Sequence, residues 1–250
     1  MSGHSKWATI KHQKGAKDKA RGKQFAKLIR QVEVAAREGG GDADANPTLR
    51  TMFQKARDAS VPLDTIERAV KRGTGELEGV RYEPITYEGY ANAGVALLIE
   101  TLSDNRNRTG AEVKSILTKA GGSMAEPGAV SWQFERKGII TVASSVSEDD
   151  LMLVAIDAGA EDVTQESTNW EIRCDPSDLD DIKKAIEGAG IEIQSNEAMM
   201  ISSNLVPLTD EGDARKVLGL IESLEDHDDV QNVWSNFDIA DEMFEGLANS

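Results

Sequence analysis

The chain has 250 residues and a formal net charge of −16, from 28 Lys+Arg against 44 Asp+Glu. Hydrophobic residues make up 39%, which with the glycines is the composition of a folded chain and excludes disorder throughout; the length predicts two or three small domains. No apolar run approaches the ~18 residues of a transmembrane helix, residues 1–30 lack a signal-peptide core, Ser2 stands where myristoylation needs Gly, and the single Cys174 excludes an internal disulfide or a zinc site built on two cysteines.

Residues 1–15 show no clean period and read as an extended arm. Residues 16–38 read as a helix. Phe25, Leu28, Ile29, Val32 and Ala36 form one apolar stripe, and Lys19, Lys23, Lys27, Arg30 and Arg37 fall on roughly the opposite face. Gly39-Gly40-Gly41 ends it. Asn46-Pro47 is an N-cap with proline at the first helical position, and Leu49, Met52, Phe53 and Ala56 share a face of the helix it opens. After Val61-Pro62, Leu63, Ile66 and Val70 repeat at helical spacing, with Asp64/Arg68 and Glu67/Lys71 as i,i+4 pairs. Gly73, Gly75 and Gly79 mark a linker; no strand precedes this Gly-x-Gly and no helix follows it, so it reads as a hinge rather than a phosphate loop.

Beyond residue 81 strands alternate with helices. Strands are expected at 82–90, 94–102, 130–134, 138–143, 162–166, 170–174, 191–201 and 230–237, and helices at 108–120, 148–158, 178–189 and 210–224. From 138 to 201 the order is β-α-β-β-α-β, the ferredoxin-like series. The expected class is therefore α+β: an N-terminal helical domain followed by two ferredoxin-like α+β domains, one inserted in the other. The boundaries implied are 1–80 for a basic helical domain with an N-terminal arm, 81–134 plus 204–250 for a discontinuous α+β domain, and 135–203 for the inserted ferredoxin-like domain.

Charge is segregated along this plan. Residues 1–40 carry +7, residues 41–81 cancel, and residues 82–250 carry −23. A basic end on an acidic body points to a nucleic-acid contact confined to that end. Within the arm, His4, Lys6, Trp7, Lys11, His12, Lys14 and Lys17 interleave bases with an indole. Lysines neutralise phosphates and tryptophan stacks on bases; equally, Trp7 and Ile10 can pack on the helical core. Arg106 and Arg108, at the start of the 108–120 helix, suit an anionic ligand at a helix N-terminus. The alternative is a loop capped by Asp104 or Asn107, with the arginines paired to carboxylates. Glu225-Asp-His227-Asp-Asp229 has hard-metal residue types, but neighbours in one turn seldom converge on an ion, and it reads as a solvated acidic turn. The chain has no P-loop, H-E-x-x-H or G-x-S-x-G motif, and His4, His12 and His227 are scattered. No catalytic residue, metal site, cofactor or small-molecule substrate is expected.

Gly3-His-Ser-Lys-Trp-Ala-Thr-Ile-Lys-His12 followed by Lys14-Gly-Ala-Lys-Asp18 resembles the N-terminal signature of the YebC family, bacterial proteins with organellar relatives, described as transcriptional regulators and as translational activators. The likeness continues through Ile66–Gly75, Tyr87–Tyr90, Thr101–Thr109, Gly121-Gly122, Lys137-Gly138 and Asp228–Val233. It implies three domains around a central cleft and a cytoplasmic, bacterial-type protein without catalytic activity or membrane contact. It also strengthens a nucleic-acid role for the arm and the Arg106/Arg108 loop; in a DNA-binding reading, helix 16–38 with Lys19, Lys23, Lys27 and Arg30 would sit on duplex phosphates beside the arm. Two functions are then expected: a DNA-binding transcriptional regulator, or a ribosome-associated translation factor that contacts ribosomal or transfer RNA and relieves slow synthesis at proline runs. A third reading is a protein-interaction module whose acidic cleft binds a basic partner.

Overall fold

Residues 18–166, 169–240, 243 and 246 are described by the structure, a computed structural model. The helical part contains α1 (Asp18–Gly39), α2 (Pro47–Asp58) and α3 (Leu63–Gly73). Their apolar stripes meet in one core, where Val32, Leu49, Ala56, Ile66 and Ala69 are buried and Phe25, Leu28 and Ile29 lie partly covered. Asn46 joins two helix ends: its Oδ1 accepts from Leu49 N at 3.0 Å, and its Nδ2 donates to Ala35 O and Gly40 O, both at 2.8 Å. Those bonds satisfy the first turn of α2 and carbonyls at the end of α1. Glu33, also buried, accepts from Arg72 at 2.9 Å and from Arg37 at 3.3 Å, tying α3 to α1.

Beyond the linker lie β1 (Glu83–Tyr90), β2 (Ala96–Ser103), α4 (Arg106–Lys119), β3 (Ser123–Ala125), β4 (Phe134–Ala143), α5 (Glu148–Asp157), β5 (Asp162–Glu166), β6 (Asn169–Cys174), α6 (Leu179–Gly188), β7 (Ile193–Ser202), β8 (Val206–Leu208), α7 (Glu211–Glu225), β9 (Val230–Ser235) and β10 (Phe237–Ile239). Two antiparallel four-stranded sheets result, in the orders β3-β1-β2-β9 and β5-β6-β4-β7; β8 and β10 form a separate parallel pair. The second order, read with β-α-β-β-α-β connectivity, is ferredoxin-like. The chain is thus α+β with a helical N-terminal part.

The first sheet buries one face under α4 and α7, around Leu97, Ile99, Val113, Leu117, Val217, Ile221 and Val233. The second buries one face under α5 and α6, around Ile140, Val142, Leu151, Trp170, Ile172, Ile182 and Ile186. The opposite faces meet: Ala96, Leu98 and Trp234 pack against Phe134, Ile139 and Met199. Strand β2 is therefore buried on both sides, and this is why residues 95–99 form a continuous apolar run instead of alternating.

Three sequence expectations change. Residues 130–134 are not a strand: Ser131–Gln133 form a 3-10 turn and β4 begins at Phe134. The cause is Glu88, whose buried carboxylate accepts N–H bonds from Gly128, Val130 and Ser131 at 2.7, 2.6 and 3.0 Å. Those backbone donors are taken by a side chain, so no neighbouring strand can use them. The expected strand 230–237 breaks at the buried Asn236. That side chain accepts from Ala96 N at 2.7 Å and donates to Asn204 O at 2.8 Å, and the chain then re-pairs as β10. Strand β3, three residues too short to show a period, is additional.

Candidate functional site

The cations predicted to contact nucleic acid divide into those outside and those within the described residues. His4, Lys6, Trp7, Lys11, His12, Lys14 and Lys17 lie outside them. Lys19 sits in the first turn of α1, and its side chain also lies outside what the structure describes. Of the others, Lys23, Lys27, Arg30 and Arg108 converge on one place, the turn from α7 into β9 at residues 225–229, and Arg106 does not.

Lys23, Lys27 and Arg30 recur at i, i+4 and i+7 on α1, and all three face this turn. Lys23 Nζ donates to Asp226 O at 2.9 Å and lies 3.4 Å from the Asp226 carboxylate. Lys27 Nζ donates to Glu225 O. Arg30 Nη1 donates to Asp228 O at 2.6 Å and to Asp229 Oδ1 at 2.9 Å, with its guanidinium 5.0 Å from the centre of the Tyr82 ring. The acceptors include the last carbonyls of α7, where the helix dipole and the unpaired C=O groups favour cations. Residues about 200 positions apart are joined in this way, and Gln31 to Gln231 at 3.2 Å extends the seam.

The start of α4 completes the cluster. Asn105, rather than Asp104 or Asn107, is the N-cap: its Oδ1 accepts from Arg108 N at 3.1 Å. The Arg108 guanidinium bridges Asp229 Oδ2 at 2.7 Å and Asp104 at 2.8 Å, and the Thr109 hydroxyl donates to Asp229 at 2.6 Å. Asp229 is only 3% exposed. Burial alone would raise its pKa, but the Thr109 and Arg108 hydrogen bonds and the charges of Arg108 and Arg30 outweigh burial and hold the carboxyl below its usual range. The turn is therefore not merely a solvated run of acids. Its last carboxylate is a buried anchor on which helices α1 and α4 both close.

His227 accepts from Asp229 N through Nδ1 at 3.1 Å, so Nε2 carries the proton shared with Glu112 at 2.8 Å. Glu112, His227 and Asp229 place three potential ligand atoms within 4.8 Å of one another. They do not fit a metal ion. Both Asp229 oxygens already accept from arginines, and two guanidinium groups beside the cluster oppose a divalent cation. Arg106 is exposed and, among the described residues, has no ion-pair partner, while its carbonyl accepts from Tyr87 Oη at 3.1 Å. The structure thus separates the two arginines of the loop: Arg108 is tied inward and Arg106 faces solvent.

Sequence reasoning missed Asp229, Glu33 and Glu88 as buried anions. Glu33 leaves a trace, being an acid beside the apolar stripe and four residues before Arg37. Asp229 and Glu88 leave none, since their partners come from distant segments.

Residues 5–76 match the family described as TACO1/YebC protein N-terminal domain, and residues 82–237 match TACO1/YebC second and third domain. A protein of Halothermothrix orenii is 54% identical over 250 residues, covering 99% of each chain. One of Thermobifida fusca is 56% identical over 97% of this chain and 98% of its own. Both carry the name "Probable transcriptional regulatory protein". The crystal structure of a conserved hypothetical protein from Aquifex aeolicus superposes with a TM-score of 0.78 at 44% identity, covering 88% of this chain and 91% of that one. With both family descriptions matched along most of its length and full-length relatives above 50% identity, the chain belongs to the TACO1/YebC family.

Proposed function

We propose that this chain is a non-enzymatic regulator of gene expression, working in the cytoplasm, that binds nucleic acid through its basic N-terminal end. The observation that carries the reading is how the positive charge is distributed along the chain. The body from residue 82 on carries −23 and repels phosphates. Lys23, Lys27 and Arg30 are engaged by the 225–229 turn. Residues 1–17 hold Lys6, Lys11, Lys14 and Lys17 and no acid, and Arg106 adds an exposed cation on α4.

The names of the relatives favour duplex DNA and transcription. A specific observation favours a second reading, a translation factor on ribosomal or transfer RNA. Helices α2 and α3, with the short connection 59–62, have the outline of a helix-turn-helix. Yet the exposed face of α3 offers Asp64, Glu67, Arg68 and Lys71, with Arg68 already 3.7 Å from Asp64. A base-reading helix presents Asn, Gln or Arg to base edges and keeps carboxylates away from phosphates. A lysine- and tryptophan-bearing segment suits irregular RNA.

The deciding experiment crosslinks the protein in growing cells and sequences the attached nucleic acid, beside a variant with Lys6, Lys11, Lys14 and Lys17 changed to Ala. Promoter DNA lost in the variant establishes the transcriptional reading, and ribosomal or transfer RNA lost in the variant establishes the translational one. With purified protein, the four substitutions should reduce the slope of log K against log salt by about 3–4, since each phosphate contact contributes about 0.7–0.9. An unchanged slope refutes the role given to this segment.

A further inference from the structure

A cleft of about 570 Å³ opens where the chain crosses between the two sheets, at residues 132–137 and 201–204, with walls added by β5 and β6. Its rim carries Trp132, which is 70% exposed. The indole is held in place, because its Nε1 donates to Ala129 O at 3.0 Å and the turn beneath it is pinned by Glu88. A fixed, exposed tryptophan keeps a large apolar ring in water with no return from the fold. The charges around it are lopsided. Lys137 is shared by Glu135 at 3.0 Å and Glu161 at 2.9 Å, so that trio keeps a net negative charge. Arg173 is neutralised by the buried Glu171 at 2.8 Å. Asp162 has no ion-pair partner among the described residues. The lining therefore repels phosphate and attracts a cation, with an aromatic face at its mouth.

We infer that this cleft is a docking site for an arginine-bearing segment of a partner protein. Guanidinium stacks on an indole and is less strongly hydrated than an ammonium, and its planar fork matches a carboxylate such as Asp162 or Glu161. The volume suits one such side chain with a short stretch of its backbone. This contact is separate from the nucleic-acid reading above and does not depend on it.

The test titrates the full chain with a synthetic hexapeptide bearing two arginines, with its lysine counterpart, and with a six-nucleotide single-stranded RNA, each followed by calorimetry. The arginine peptide should bind, the lysine peptide more weakly, and the RNA not at the cleft. Trp132→Ala leaves the net charge at its original value and should weaken the arginine peptide about tenfold. Trp132→Phe keeps an aromatic face and should recover most of that loss. Asp162→Asn with Glu161→Gln should weaken binding and flatten its salt dependence. Equal affinity in Trp132→Ala and parent would show that the acidic surface binds the peptide elsewhere and would overturn the proposal. So would a failure of the arginine peptide to bind, or RNA binding that Trp132→Ala abolishes.

Discussion

Asp229→Ala is the sharpest single perturbation of the contact between the helical part and the first sheet. The carboxylate is 3% exposed and accepts from Arg30, Arg108 and Thr109 at 2.9, 2.7 and 2.6 Å. Charged hydrogen bonds contribute about 1.5–3 kcal/mol each. Their sum overstates the loss, because Arg108 keeps Asp104, Arg30 keeps the Asp228 carbonyl and Thr109 keeps Ser103. Breaking a buried pair by removing one partner costs about 3–5 kcal/mol. With those remaining partners, about 2–4 kcal/mol is expected, a fall of roughly 4–16 °C in Tm for a chain of this size. Urea and thermal unfolding measure it, with Asp226→Ala as the control. The Asp226 side chain is 75% exposed and its carbonyl still receives Lys23, so less than about 1 kcal/mol is expected there. Acid gives a second readout. A carboxyl whose folded pKa is depressed contributes stability that is full above its unfolded value, about 3.9, and lost as pH falls through the folded value. The gap between parent and Asp229→Asn should therefore be widest near neutrality and shrink below about pH 4. Equal losses in Asp229→Ala and Asp226→Ala, or a gap independent of pH, would refute the reading of Asp229 as a buried anchor.

Three further outcomes follow from individual contacts. In Gly73→Ala the new Cβ would lie 2.4 Å from Glu33 O and 2.8 Å from Ala36 Cβ, so α3 must move off α1; urea unfolding should show a loss of about 2 kcal/mol or more. Burial raises the Glu88 pKa, but the N–H groups of Val130, Gly128 and Ser131 outweigh it and the net shift is downward. Glu88→Gln should thus cost about 1–3 kcal/mol at pH 7, and the difference from parent should shrink below about pH 4. Cys174 is buried with its pKa pushed up to about 11, chiefly by burial and then by Asp178, Glu161 and Asp175. An aromatic disulfide reagent at pH 8 should leave the folded thiol intact and modify it at once in 6–8 M urea, because only the thiolate attacks.

Much of the architecture is legible because it is local. The stripe Phe25–Ala36, the Asn46-Pro47 cap and the β-α-β-β-α-β order rest on spacings within a few turns, and the structure realises each of them. What the sequence hides is long-range polar pairing. Glu88 takes the N–H groups of residues 40 and more positions away and turns an apparent strand at 130–134 into a 3-10 turn. Arg30 reaches Asp229 across 199 positions. Alternation says which side chains are apolar, not which backbone donors a distant carboxylate will claim. The same limit applies at Arg106 and Arg108, two arginines in one motif with different environments. Only the fold shows that Asp229 lies beside the second.

The clamp at 225–229 also changes how the basic end should be understood. A helix with Lys23, Lys27 and Arg30 in a row looks like a surface for tracking phosphates, spaced at about 5–6 Å per turn. Here that row lies on an acidic turn of the same chain, which offers three carbonyls and two carboxylates in place of a phosphate backbone. Binding nucleic acid through this row would require exchanging contacts already made, one of them to a buried carboxylate, so the net gain per phosphate would be small. The lysines of residues 1–17 precede this row in the sequence, in a segment that contains no Asp or Glu. Charge-reversing Lys23 or Lys27 should therefore loosen the helical part from the first sheet, whereas neutralising Lys6, Lys11, Lys14 and Lys17 should weaken nucleic-acid binding and leave stability unchanged. The two sets of substitutions separate the structural from the functional use of one positively charged end.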